Sequence, residues 1–362
     1  MSFAARPAAA SAARTSRIDG LDLARGLAVL GMVGAHVGDN ESWDWLVVTH
    51  GFPSALFAVL AGVSMTMMLT RRGTVAVAAV EDADARRTRI RIAVRGAMLV
   101  GLGLVLALLG TPVVVILTNL GVMFWLTIPL LRVRTDVLLV LAGLCLGLGG
   151  YVALQIDAVV GHGSLWGTAY PGILVVGALW GPYYPALAWM GYVLIGVCVG
   201  RFDLRSDRVV LVLLGLALTA IVTARRIVAI SLSEGADPAS WWLDLTDHSY
   251  SPVEMMTNVG VALLVIGASL SVARVARPAV WPLLAVGSMA LTAYVGHLIV
   301  IVFVGTEIVW EPSNVSLVAL WLGIVVMCSL WRWRLGAGPL ERWLTAWSTR
   351  AADARVPSGL GQ

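Results

Sequence analysis

Residues 17–36 read RIDGLDLARGLAVLGMVGAH. The stretch opens on Arg17, Asp19, Asp22 and Arg25, then carries no polar side chain from Gly26 to Ala35 before ending on His36. The apolar run over 21–39 approaches the ~20 residues a helix needs to cross a bilayer. Arg25 and His36 are eleven residues apart. At ~3.6 residues per turn that is about three turns, so the two side chains share one stripe. At ~1.5 Å per residue they stand ~16 Å apart along the axis, roughly half of a ~30 Å hydrocarbon core.

The rest of the chain repeats the pattern. Its 362 residues are 59% hydrophobic and 13% charged, with a mean hydropathy of +0.87. Soluble domains run near 25% charged, which makes a soluble globule a poor fit. Apolar runs fall at 21–39, 52–70, 93–110, 112–131, 137–156, 184–200, 209–231, 254–273, 279–304 and 315–332. The expected fold class is all-α: a polytopic membrane protein of about 10–11 transmembrane helices in one bundle. The piece YPGILVVGALWGPYYP, 170–185, is short and broken by Pro and Gly, and reads as re-entrant or interfacial, with an eleventh span as the alternative. Three regions follow: a cytoplasmic tail over 1–20, a transmembrane domain over 21–335, and an interfacial helix with tail over 336–362. In that last region Leu340, Trp343, Leu344 and Trp347 share one face.

Every one of the 25 basic residues is arginine. Alternate junctions between runs are basic: Arg14 and Arg17, then Arg71 and Arg72 with Arg86 to Arg91, Arg132 and Arg134, Arg201 to Arg208, Arg274 and Arg277, and Arg332 and Arg334. The positive-inside rule therefore places both termini in the cytoplasm. The arginines of EDADARRTRIRIAVR, 81–95, could hold the phosphates of coenzyme A, but topology alone explains them and is the preferred reading. The net charge of +4 belongs to loops and does not describe a nucleic-acid surface. Arg225 and Arg226, near the far end of the seventh run, break the alternation. Cys145, Cys198 and Cys328 sit singly in apolar runs and read as buried thiols, with neither a disulfide framework nor a metal pattern. The N-terminal tail has no apolar core of its own, so the first run reads as an uncleaved anchor.

With this topology His36, His50, His162, His248 and His297 gather at the exoplasmic side. A guanidinium at the cytoplasmic mouth suits a phosphate, and Asp22 is placed at i, i+3 to pair with Arg25. A neutral imidazole suits proton transfer. A long donor such as acyl-coenzyme A fits along that stripe, nucleotide inside and thioester near a histidine. Asp39 and Asp44 crowd the first exoplasmic loop near His50. The later block DHSYSPVE supplies Asp247, His248 and Glu254, and LTAYVGHLIV supplies His297 and Tyr294. Asp39, Asp44, Asp247, His248, Glu254 and His297 are candidates for binding the acceptor or orienting the catalytic histidine. DHSYSPVE also reads as a capped helix start, and Asn119 as a polar bond between helices.

The stretch RIDGLDLARGLAVLGMVGAH with LFAVLAGVSM resembles the catalytic region of the heparan-alpha-glucosaminide N-acetyltransferase family, especially its bacterial relatives. DHSYSPVEMMTNVGVALLVIG, LLAVGSMALTAYVGHLIV and GPLERWL resemble a bacterial membrane-protein family of unknown function. The Arg25–His36 spacing is also similar to that of the acyltransferase-3 family. The resemblance implies a membrane-embedded acyltransferase moving acetyl from cytoplasmic acetyl-CoA to an exoplasmic glycan, glycolipid or similar acceptor. It would sit in the cytoplasmic membrane of a bacterium. His50 is the closest positional match to the catalytic histidine of the N-acetyltransferase family, and His36 to the histidine of the acyltransferase-3 pattern; the two could also work together. Arg25 and Asp22 fall to the donor. A transporter or flippase without acyl transfer is the competing class. Acceptor identity, O- versus N-acylation and oligomeric state, a homodimer included, stay open.

Overall fold

The computed structural model of the chain describes residues 17–70, 82–160, 177–181 and 183–355. The N-terminal tail to residue 16, His162 and half of the segment over 170–185 lie outside the described residues.

Among the described residues the chain is helical throughout, with no strand. Its helices are α1 (Asp19–Val37), α2 (Phe52–Leu69), α3 (Asp82–Leu108), α4 (Leu117–Thr127), α5 (Thr135–Val160), α6 (Ala186–Val199) and α7 (Asp207–Ser233). There follow α8 (Pro252–Val275), α9 (Trp281–Ser288), α10 (Ala290–Val304), α11 (Glu307–Trp310), α12 (Asn314–Leu335) and α13 (Pro339–Arg355). A 3₁₀ turn over Asp44–Thr49 leads into α2.

Every apolar run read from the sequence falls on one of these helices, but they are not equal. Seven are long and apolar enough to cross a membrane. An eighth is the pair α9 and α10, which bend by 82° at the Ser288–Met289 break. The runs at 112–131 and 184–200 form helices of only 11 and 14 residues. At ~1.5 Å per residue these reach roughly 16–21 Å, short of a ~30 Å core. Both are largely buried among longer neighbours. Their hydropathy reflects protein interior as much as lipid.

The first helix is the axis of the bundle. It packs against α2, α8, α9, α10 and α12. Asp19 and Asp22 lie in its first turn, where carboxylates favour the helix dipole. Its crossing with α9 is close: a Cβ on Gly287 would fall 1.6 Å from the carbonyl oxygen of Asp22. Only glycine permits that approach. Lipid is as apolar as leucine, so such close packing, more than hydrophobic transfer, holds helices together in a bilayer. The lipid-facing shell is drawn largely from α5, α7 and α12, whose Leu148, Leu218, Val222 and Leu322 are exposed.

The last helix is more than a surface float. It packs on α3 and on the start of α10, with Ser348 and Ala352 buried. The apolar face read over 340–347 divides: Leu340 and Leu344 pack against the core, while Trp343 and Trp347 are exposed.

Candidate functional site

Polar groups are concentrated at the two ends of α1. At the arginine end, Asp22 is fully buried and accepts from two guanidiniums, Arg17 and Arg25, the latter at 2.9 Å. Arg25 also donates to the Ser64 hydroxyl at 2.8 Å. The i, i+3 pairing expected of Asp22 and Arg25 is present. Losing Arg25 would leave the buried Asp22 carboxylate with Arg17 as its counter-charge.

This corner opens into a cavity of about 640 Å³ lined by four guanidiniums, Arg17, Arg25, Arg95 and Arg342. Ser64 and Ser288 add hydroxyls, and Phe57, Leu60, Leu99, Leu117 and Phe124 form an apolar floor. Arg95 bonds Ser348 and Thr345 of α13, each at 3.3 Å. Arg95 comes from the run whose arginines topology alone explained. What distinguishes it is position: it lies nearest the apolar part of α3, where a charge needs a polar cavity. Among the described residues the single carboxylate lining this cavity, Glu341, is already engaged. It accepts from the backbone N–H of Leu291 at 2.8 Å and of Thr292 at 3.0 Å, and from the Thr292 hydroxyl at 2.6 Å, so it caps α10 from another helix.

At the histidine end, a cavity of about 230 Å³ is lined by His36, His50, Asp247 and His248, with Tyr183, Tyr184 and Tyr294. A wider opening of about 570 Å³ shares His36 and His50 and adds Asp39, Asn40, Glu41 and Glu311. His50 ends the 3₁₀ turn, and its Nδ1 lies 3.2 Å from the Leu46 carbonyl. A carbonyl only accepts, so Nδ1 carries the proton and Nε2 keeps its lone pair. Nε2 accepts from the Asn40 amide at 3.2 Å. That tautomer is the one a general base requires, and the Asn40 amide stands where an acceptor's hydroxyl or amine would donate.

His36 meets His297, Nδ1 to Nε2, at 3.2 Å. His297 is buried on α10, behind His36 rather than on the cavity wall. His248 is packed edge-on against Tyr184 at 5.3 Å and stacked on Trp189 at 6.4 Å. Burial lowers its proton affinity below that of an ordinary histidine, against the opposing pull of Asp247. Its Nδ1 lies 3.2 Å from the Tyr250 hydroxyl, which in turn accepts from the Tyr184 backbone N–H at 3.1 Å. Asn119 donates to the Tyr183 and Tyr184 carbonyls, so its partner is the tyrosine loop and not a helix flank. Tyr184, His248 and Tyr250 all have positive φ, at 55°, 59° and 54°. For side chains with a Cβ this costs about 1–2 kcal/mol each, and such outliers collect at functional sites.

The remaining candidates divide. Glu254 accepts from the Tyr250 N–H at 2.8 Å and from the Asn258 amide at 2.8 Å. Ser251, in turn, caps α8 by accepting from the Glu254 N–H at 3.0 Å. The capped start read in DHSYSPVE is therefore real, and Glu254 lines a side cleft together with His50 and Asp247. Asp39 closes its own turn, accepting from Ser42 and from the Glu41 N–H, and the Ser42 bonds hold its carboxyl below the usual aspartate range. Asp44 is exposed and lines neither histidine cavity. Ser249 and Ser251 donate to the Asp244 carbonyl, not to His248.

The stripe from Arg25 to the histidines, expected to hold a long donor, is divided between two cavities. Phe57 lines the arginine cavity and Tyr294 the histidine cavity, and their rings stack at 6.5 Å. Ile116 and Leu117 divide in the same way. Phe57 reaches the waist from α2 and Tyr294 from α10, both helices that pack on α1.

Fold and site together define a multi-pass membrane protein with a cationic cavity at one end and an imidazole-lined cavity at the other. A family profile described as heparan-alpha-glucosaminide N-acetyltransferase, catalytic, matches residues 17–212, more than half of the chain, and the chain belongs to that family. Membership implies a membrane acetyltransferase, in a family that uses acetyl-CoA. A second profile, described as a protein of unknown function (DUF418), matches residues 201–351. No curated protein matches the chain. The two matched segments build the site jointly: His36 and His50 come from the first, His248, His297 and Tyr294 from the second.

Proposed function

We propose that the chain transfers an acetyl group from cytoplasmic acetyl-CoA to an exoplasmic sugar, glycolipid or similar acceptor, with the arginine end in the cytoplasm of a bacterium. The observation that carries the reading is the pairing of two cavities along α1. One is ringed by four guanidiniums without a free carboxylate, and the other, across the Phe57–Tyr294 waist, presents the Nε2 lone pair of His50. Arg17, Arg25, Arg95 and Arg342 hold the phosphates of the donor, with Asp22 positioning two of them. The acetyl carbonyl reaches the histidine end when the Phe57 and Tyr294 rings, which close the waist in this structure, turn aside. There His50 or His36 takes the proton of the acceptor hydroxyl or amine as its oxygen or nitrogen attacks the carbonyl. The C–S bond breaks, and the CoA thiolate leaves with a proton. In the two-step variant a histidine first carries the acetyl group itself.

Two cavities opening toward opposite ends across an aromatic partition also suit a transporter or flippase. Thiol release from acetyl-CoA separates the readings. Purified full-length protein in detergent is supplied with amino sugars, polyols and glycolipids. Arg25→Gln should raise KM for acetyl-CoA about tenfold, the loss of one charge-assisted contact, and the His36→Ala, His50→Ala double variant should abolish release. Release by the wild type equal to that of the double variant, with every acceptor, ends the acetyltransferase reading.

A further inference from the structure

Arg225 breaks the positive-inside pattern, and its surroundings give it a use. It lies on α7, eighteen residues from Asp207 and eight from Ser233. That puts it ~27 Å from the arginine end of the helix, at the far edge of a ~30 Å hydrocarbon core. Its neighbours along α7, Leu218, Val222, Ile227 and Ile230, are exposed apolar side chains on the lipid-facing shell. Arg225 forms no ion pair or hydrogen bond with any described residue. It does line a cleft of about 400 Å³ that runs between α7, α8 and the 3₁₀ turn, and whose wall includes His50, Asp247 and Asn258. The cleft is flanked by exposed Val47 and Leu245, which give it an apolar mouth beside the exposed apolar side chains of α7. Glu254 at its back is already spent on Tyr250 and Asn258. Asp247 shares the cleft but forms no ion pair with Arg225, so the guanidinium keeps its hydrogen-bonding face open at the depth of the head-group layer.

We infer that the acceptor is a phosphate-bearing membrane lipid, which enters sideways from the exoplasmic leaflet with its phosphate on Arg225 and its hydroxyl or amine toward His50. The inference rests on the acetyltransferase reading for the chemistry, but not for the binding. A planar guanidinium matches a phosphodiester, and the apolar mouth accommodates the first carbons of the chains. Acyl transfer then forms the ester or amide bond on the lipid head group and breaks the thioester, with the acceptor proton passing to His50 and on to the CoA thiol.

The test uses native mass spectrometry of the full-length protein in detergent with dioleoyl phosphatidylglycerol as probe. Wild type should retain one lipid per chain, Arg225→Gln about tenfold less, Arg225→Lys most of it, and Arg226→Gln as much as wild type. Dioleoylglycerol, which has the same chains without phosphate, should not be retained. Free glycerol 3-phosphate should not displace the lipid. Equal retention by Arg225→Gln, equal loss in Arg226→Gln, or displacement by glycerol 3-phosphate would each overturn the inference, the last in favour of a soluble acceptor. No acetyl-CoA enters this measurement. Phosphate-dependent retention at Arg225 in a protein that releases no thiol keeps the lipid site and removes only the enzymatic reading.

Discussion

The imidazoles of His36 and His297 lie nearly parallel, ring centroids 5.4 Å apart and 16° between planes, with Nδ1 and Nε2 separated by 3.2 Å. Two lone pairs or two N–H groups at that distance would repel, so the pair shares one proton, and His297 sets which nitrogen of His36 is free. In the proposed acetyltransferase reading, His297 is a positioning residue. His297→Phe should lower kcat about 10²-fold with KM for acetyl-CoA unchanged, and His297→Gln, which still hydrogen-bonds, should recover part of it. Steady-state kinetics with both variants decides; a wild-type kcat for His297→Phe would contradict the pairing.

Gly51 joins His50 to α2 at φ 73°, and a Cβ there would lie 3.2 Å from the Asp247 Cβ. Gly51→Ala should cost roughly 1–2 kcal/mol and shift His50, depressing acetyl transfer more than stability alone explains. Gly296→Ala, with open space around its added Cβ, is the control. Thermal unfolding and turnover on the same samples would separate the two, and equal behaviour of both variants would contradict the claim.

His248 should make stability fall on the acid side. Burial disfavours its charged form, so its folded pKa lies below the unfolded value, ~6.5. The folded state binds its proton later than the unfolded one. Stability is therefore intact above the unfolded value and is lost as pH drops through the lower, folded one. Melting curves from pH 7.5 to 5 should show a steeper decline for wild type than for His248→Gln. Parallel curves would show that the imidazole is not desolvated.

Glu341 closes the amide end of α10 from α13. Glu341→Ala should lower stability by about 1–2 kcal/mol, the scale of a lost helix cap, and Glu341→Gln by less because its carbonyl still accepts. Differential scanning fluorimetry in detergent reads the difference. An unchanged midpoint for the alanine variant would mean that water caps the helix instead.

The helices and the stripe joining Arg25 to His36 were legible in the chain because they are set by local chemistry: apolar runs, a ~3.6-residue period, and charges at their ends. Asp22 pairing with Arg25 and Ser251 capping α8 are of the same kind, each within a few residues. The site's remaining logic depends on separations no period encodes. His36 meets His297 across 261 positions, and Arg95 meets Ser348 across 253. Hydropathy could not tell a short buried helix such as α6 from a full span, since protein interior and lipid favour the same residues. Nor could it show that α9 and α10 bend at Ser288–Met289, where no proline marks the break, or that Phe57 and Tyr294 would close the waist. Local physics names the face a side chain occupies; only the packing of helices distant in sequence supplies what that face meets.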